Sequence, residues 1–134
     1  MSLEIHTTER EGIVIVVLKG RLTVGEVTAL REKVNEQLAA TKVNIIFDLG
    51  AVDYIDSTGL GSMVICYTSV KKSGGALKLF ALNKRNIELL VLTKLHTIFE
   101  VFGEEQDAIN SFFPNREIKH FDILTFVREH QKED

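Results

Sequence analysis

The sequence predicts an α/β fold, in which helices pack against a mixed, mostly parallel β-sheet and a helical extension follows at the C-terminus. Short β-branched runs alternate along the chain with longer segments whose apolar residues step by three and four. Two strand-like segments precede this alternation, so the predicted order is ββαβαβαβα. The 134 residues are 45% apolar and 26% charged with one proline, which suits a single domain with its own core.

The first elements are a hairpin and a helix. Apolar and polar residues alternate over residues 3–8, and a β-branched run at 13–18 follows a turn at Glu11 and Gly12. This pattern predicts two antiparallel strands, the second more buried than the first. Thr23 or Gly25 then begins a helix. Its apolar residues lie on one face: Val24, Val27, Leu30, Val34 and Leu38.

A central strand and a long helix come next. Residues 43–47 are short, β-branched and end at Asp48, which is typical of a buried parallel strand. A loop over residues 49–56 leads to a helix that Gly74 and Gly75 end. The lone Cys66 lies on the apolar face of this helix, so we expect a core residue rather than a reactive thiol.

The last part of the domain repeats the alternation, with a strand at 76–80 and a helix that Asn83 can cap. A short strand at 98–102 and a helix at 104–113 complete it. Pro114 ends that helix, which predicts a domain over residues 1–113 and a helical tail over 114–134. Apolar residues recur every three positions in the tail, so we expect an amphipathic helix that packs on the domain. They are Ile118, Phe121, Leu124 and Val127.

Charge and hydropathy narrow the class of protein. The formal net charge is −3 and no long basic run is present, which argues against direct nucleic-acid binding. The longest apolar runs are far shorter than the roughly 20 residues of a membrane span, and the N-terminus lacks the pattern of a signal peptide. We therefore expect a cytoplasmic protein without a membrane span.

Enzyme motifs are missing from the sequence. The four histidines lie in unrelated parts of the pattern and there is no cysteine pair, so a metal site lacks its ligands. No dinucleotide fingerprint or phosphate-binding loop occurs, and the residues around Ser57 do not form the nucleophile elbow of a hydrolase. The expectation is a protein that is not an enzyme and that carries no cofactor or metal.

The most informative segment runs from the central strand into the following helix. Asp48, Asp53 and Asp56 make it acidic, and Ser57 stands where a helix N-cap residue would. A capping serine is common and needs no further role. Phosphorylation is the functional alternative, because it would add about −1.5 to −2 charges at a helix N-terminus that can hold them. That charge and bulk would oppose a partner docked on the unmodified loop.

This segment resembles a known family. The run Asp56-Ser57-Thr58-Gly59-Leu60-Gly61, with Asp48-Leu49 before it and Lys19-Gly20-Arg21-Leu22 after the hairpin, is similar to the STAS domain of bacterial anti-sigma factor antagonists, also called anti-anti-sigma factors. The resemblance covers roughly residues 4 to 113. In that family the unphosphorylated antagonist binds an anti-sigma factor, which is itself an ATP-dependent serine kinase, and so frees the sigma factor. Phosphorylated antagonist is released until a phosphatase restores it.

The resemblance implies a role for each matching residue. Ser57 is the expected phosphoacceptor, and no residue is expected to be catalytic. The residues expected to bind the partner are Asp56, Thr58, Gly59, Leu60, Gly61, Asp53 and Thr23. Thr23 stands where many relatives carry an acidic residue. The implied partners are an anti-sigma factor serine kinase and a PP2C-type phosphatase, and the tail is a candidate surface for a weak homodimer.

Two other classes of function remain open at this point. One is a constitutive STAS interaction module in a signalling scaffold or a lipid-transport complex, for which Thr23 and the tail leave room. The other is a small phosphotransfer or nucleotide-binding protein, with Asp48 as an aspartyl-phosphate site and the acidic loop as a Mg²⁺ site. The first strands offer no acidic pair to support that second alternative.

Overall fold

A five-stranded sheet organises the protein in a computed structural model that describes residues 3–131. The strands stand side by side in chain order: β1 (Leu3–Arg10), β2 (Ile13–Leu22), β3 (Asn44–Ile55), β4 (Ala76–Phe80) and β5 (Val101–Phe102). The hairpin of β1 and β2 is antiparallel, and every other neighbouring pair is parallel. The predicted mixed, mostly parallel sheet with an antiparallel edge is therefore confirmed.

The helices cover both faces of the sheet. They are α1 (Val27–Ala39), α2 (Ser57–Lys72), α3 (Lys84–Leu92), α4 (Glu105–Asn110) and α5 (Ile123–Gln131), and a 3₁₀ turn spans Leu95–Thr97. Buried residues of α1, α2, α3 and α5 share one core with one set of strand side chains. Ala108 and Ile109 of α4 pack with the opposite set, which includes Ile13, Ile15 and Ile46. Strand side chains alternate between the faces, which explains the continuous apolar runs of β2 and β3.

The predicted loop over residues 49–56 is wrong, because β3 continues to Ile55. Its second half pairs with the end of β2, where Arg21 lies opposite Tyr54 and Leu22 lies opposite Ile55. Two register shifts along this pair accommodate the polar residues that suggested a loop. The hydrogen-bond partners of this half of β3 come from the long β2, which is distant in sequence, so a local sequence pattern does not reveal them.

Other element boundaries also move. α1 begins at Val27 rather than at Thr23 or Gly25. The residues before it form a turn, in which the backbone N–H of Glu26 donates a hydrogen bond to the Thr23 carbonyl at 2.8 Å. β5 has only two residues, and α4 ends at Asn110 rather than at 113. Cys66 is a core residue as predicted: it is 1% exposed, and burial raises the pKa of its thiol to about 11.

The tail packs on its own domain, as the sequence predicted. Its helix begins only at Ile123, so Ile118 and Phe121 lie in the irregular segment before α5. Phe121 packs against the core of the α1 face, whereas Ile118 packs with the α4 face. Val127 is 8% exposed and Leu124 is 54% exposed, so one face of α5 is buried and the other meets solvent. No helix within residues 3–131 is long and apolar enough to cross a bilayer.

Candidate functional site

The candidate site lies where β2 and β3 end and α2 begins, and Asp56 holds these segments together. One carboxylate oxygen of Asp56 accepts a hydrogen bond from the Gly59 N–H at 2.7 Å. The other accepts one from the Val24 N–H at 3.2 Å, and the Asp56 N–H donates to the Leu22 carbonyl at 3.2 Å. A single side chain therefore caps α2 and fixes the turn that follows β2.

Ser57 is the first residue of α2 and not its cap, which corrects the sequence prediction. Asp56 has the extended backbone of an N-cap residue, and each of its two carboxylate oxygens accepts a different backbone N–H group. The Ser57 side chain is exposed, and its hydroxyl has no hydrogen-bond partner within residues 3–131. The hydroxyl is accessible to a modifying enzyme as a consequence.

The predicted partner-binding residues of α2 fall into two groups. Thr58 and Gly61 are exposed beside Ser57. Gly59 is buried, and a Cβ at its position would lie 2.2 Å from the Leu22 carbonyl oxygen. Leu60 is 5% exposed and belongs to the core. Gly59 and Leu60 therefore set how closely α2 approaches β2, while Thr58 and Gly61 form surface.

Asp53 and Thr23 lie at the ends of the two strands. Asp53 is exposed, and its carbonyl accepts a hydrogen bond from the Asn83 side chain at 3.2 Å. Thr23 is half-buried in the turn after β2. Asn83 caps α3 as predicted, since its side chain accepts the Asn86 N–H at 2.8 Å. The start of α3 is thereby fixed beside the end of β3.

Four further residues of this surface were not predicted as site residues from the sequence. Val24 is 70% exposed directly after β2, although the helical pattern had placed it on a buried face. The guanidinium groups of Arg21 and Arg85 lie 4.8 and 3.9 Å from the ring centre of Tyr54. We call the surface formed by Arg21, Val24, Tyr54, Ser57 and Arg85 the site edge. The extension of β3 brings Tyr54 beside Arg21. This pairing was missed from the sequence because residues 49–56 were predicted to be a loop.

The acidic residues of the segment do not gather into one site. Asp48 precedes Asp56 by eight residues of mostly extended chain, which corresponds to about 25 Å. Its carboxylate instead accepts the Gly50 N–H at 3.0 Å. Within residues 3–131, no group of three histidine, cysteine or acidic side chains is placed to hold a metal ion. The acidic side chains that suggested a Mg²⁺ site from the sequence are therefore not brought together in the described part of the chain.

Comparisons with known proteins agree with the fold. The STAS domain family matches residues 4–108. The anti-sigma-B factor antagonist of Bacillus subtilis (strain 168) is 33% identical over 109 residues, which cover 81% of this chain and 99% of that protein. The crystal structure of a putative anti-sigma factor antagonist from Thermotoga maritima aligns with a TM-score of 0.76 at 24% identity, covering 80% of this chain and 92% of that one.

The Bacillus anti-sigma factor antagonist SpoIIAA has the same fold in two covalent states. Its unphosphorylated form aligns with a TM-score of 0.63 at 15% identity and covers 86% of this chain and 100% of that one. Its phosphorylated form aligns with a TM-score of 0.64 at 17% identity, and the alignment covers 81% of this chain and 99% of that one. The five-stranded sheet with its packed helices is the fold of the STAS domain. The chain belongs to the STAS domain family, and the Bacillus subtilis relative is an anti-sigma-B factor antagonist.

Proposed function

We propose that this chain is an anti-sigma factor antagonist that binds an anti-sigma factor serine kinase and is switched off when Ser57 is phosphorylated. The observation that carries the proposal is that the Ser57 hydroxyl, at the first residue of α2, is exposed. It is not needed as a cap, because Asp56 caps the helix. The relative from Bacillus subtilis is named an anti-sigma-B factor antagonist, and SpoIIAA has the same fold and has been solved in unphosphorylated and phosphorylated forms. Both facts support the proposal.

The switch works through surface charge rather than refolding. A phosphate on Ser57 adds about −1.5 to −2 charges and three acceptor oxygens at the N-terminus of α2. The helix dipole favours negative charge there, and Asp56 keeps its bonds to Gly59 and Val24. The domain therefore stays folded, while the added charge and bulk exclude a partner that docks on the unmodified surface.

The docking surface combines polar and apolar groups around the serine. Ser57, Thr58 and Gly61 contribute the exposed start of α2, and Val24 contributes an apolar side chain from the neighbouring turn. The catalysis belongs to the kinase. A PP2C-type phosphatase would return the protein to its binding state, and the binding of the anti-sigma factor would release a sigma factor in the cytoplasm.

The phosphorylation site is tested with the anti-sigma factor encoded in the same genome. The purified chain is incubated with this kinase and ATP, and the product is fragmented for mass spectrometry. We expect one phosphate, on Ser57, in the wild type and in Thr58→Ala, and none in Ser57→Ala. Thr58 is the matched control because it is the next exposed hydroxyl along α2. A phosphate on Thr58 in the wild type would contradict the assignment.

The binding step is tested with the same partner by calorimetry. We expect Ser57→Ala to bind like the wild type and Ser57→Asp to bind at least about tenfold more weakly, since like charge at an interface costs on the order of a kcal/mol or more. Equal affinity of the two variants would argue for the alternative function, a constitutive interaction module. Recovery of transporter subunits rather than a kinase from the native cell would favour that alternative further.

A further inference from the structure

We propose that Arg21 and Arg85, held against the ring of Tyr54, form a docking site for carboxylate groups on the anti-sigma factor kinase. This inference rests on the proposed function and adds to it the chemistry of the partner surface. It concerns residues of β2, β3 and α3 that differ from Ser57 and from the residues predicted to bind the partner.

Both guanidinium groups are held in place before any partner arrives. Arg85 lies 3.9 Å from the ring centre of Tyr54 and donates to the Ile55 carbonyl at 3.2 Å and to the Asn86 side chain at 3.1 Å. Arg21 lies 4.8 Å from the same ring centre. A guanidinium group that packs on an aromatic face has already lost rotamer freedom in the unbound protein. Its contact with a partner therefore costs less conformational entropy.

The two groups have no carboxylate partner within residues 3–131, in contrast to Arg10 and Arg116. Arg10 forms an ion pair with Glu105, and Arg116 forms one with Glu11 at 2.8 Å. Arg21 and Arg85 are both exposed and form none. The nearby Asp56 carboxylate accepts backbone N–H groups instead. Planar donors remain available for bidentate contacts with carboxylates from outside the chain.

The pair lies beside the proposed phosphorylation site. Ser57 follows Ile55 by two residues, so at most about 7 Å separate their Cα atoms. Arg85 donates to the Ile55 carbonyl, and Leu22, which follows Arg21, accepts the Asp56 N–H. A partner that covers the Ser57 hydroxyl would therefore also contact the two guanidinium groups. A protein surface with acidic side chains next to its serine-binding site is the partner that this arrangement fits.

The test is a binding experiment with the anti-sigma factor of the same genome. Calorimetry at several salt concentrations compares the wild type with the double variant Arg21→Gln/Arg85→Gln. We expect about tenfold or more weaker binding and a weaker salt dependence in the double variant, as for other interface arginines. Lys71→Gln/Lys72→Gln is the matched control for loss of two positive charges. Both lysines lie in the last turn of α2, about 20 Å or more from its start, so the binding of this variant should stay within about twofold of the wild type.

A second pair of variants separates docking from folding. Tyr54→Phe retains the ring and should bind like the wild type, whereas Tyr54→Leu removes it and should weaken binding several-fold. Thermal unfolding of each variant reports any loss of stability separately. Unchanged affinity and salt dependence in the arginine variant, or in Tyr54→Leu, would overturn the docking site while leaving the proposed function intact. Failure of the wild type to bind would overturn the proposed function, and this inference with it.

Discussion

The site edge and the tail use the same kinds of side chain in opposite ways. At the site edge, Arg21 and Arg85 have no carboxylate partner in the described chain, and Val24 is 70% exposed. In the tail, Arg116 pairs with Glu11 of the hairpin turn, and Val127 is buried against the main core. Groups that are paired or buried internally contribute to folding, and groups left exposed remain available to a partner. In the tail these side chains take part in internal contacts, whereas at the site edge they remain exposed to solvent.

The largest expected effect comes from the close approach beneath the site edge. Gly59→Ala would place a Cβ 2.2 Å from the backbone oxygen of Leu22, so we expect the free energy of unfolding to fall by about 3 kcal/mol. Gly61→Ala is the matched control in the same turn of α2, because nothing lies within 4 Å of a Cβ there. Alanine favours the helix at that position and should raise the free energy of unfolding by up to about 1 kcal/mol.

Urea unfolding followed by circular dichroism measures both glycine variants. If Gly59→Ala were as stable as Gly61→Ala, the result would mean that α2 can shift away from β2 without a loss in the free energy of unfolding. The site edge would then be less rigid than the hydrogen bonds of Asp56 indicate.

An intermediate effect is expected in the tail. Val127→Ala removes a buried side chain and should lower the free energy of unfolding by about 2 kcal/mol. Leu124→Ala, on the exposed side of the same helix, should change it by less than about 0.5 kcal/mol. The same denaturation experiment compares the two. Equal effects would mean that α5 does not rest on the core through Val127, and the contrast between the two regions would weaken.

The smallest effect is a pH dependence in the contact between the hairpin turn and the tail. Hydrogen bonds from Arg116 and Gln106 lower the pKa of Glu11 from its ordinary value. The folded state therefore favours the ionised carboxylate, and the resulting stability is present above the pKa of the unfolded chain and lost as the pH falls through the folded value.

Melting temperatures of the wild type and Glu11→Gln at a series of pH values test this dependence. The wild type should melt at a slightly higher temperature near neutral pH, and the difference should shrink below about pH 4. A difference that grew on acidification would contradict the sign of the pKa shift. Arg116→Gln serves as the partner control and should remove most of the same difference.

Much of the fold could be predicted because local patterns and tertiary structure agree. The hairpin, the central strand, the cap at Asn83 and the apolar face of α2 all appear where the sequence placed them. The second half of β3 could not be predicted, because its polar residues are accommodated by irregular pairing with β2. The tail was recognised as helical, but Ile118 and Phe121 precede the helix and pack from irregular backbone.

The candidate site was predicted in part. The segment around Ser57 stood out because an acidic strand end leads into a helix, but the sequence predicted Ser57 as the N-cap, whereas the structure has Asp56 there. That choice depends on the position of the Val24 N–H, which comes from another loop. Arg21, Tyr54 and Arg85 lie far apart in the chain, so no local pattern joins them.

The sequence by itself determined the alternation of strands and helices, their apolar faces and the serine at the start of α2, because these depend on periodicity and on neighbouring residues. Tertiary structure alone decided whether that serine caps the helix or stays exposed. The extended pairing of β3 with β2 brought Val24 to Asp56 and Tyr54 to Arg21. Asp56 then became the cap, and the Ser57 hydroxyl remained exposed, because a carboxylate with two acceptor oxygens can satisfy two backbone donors that only folding brings together.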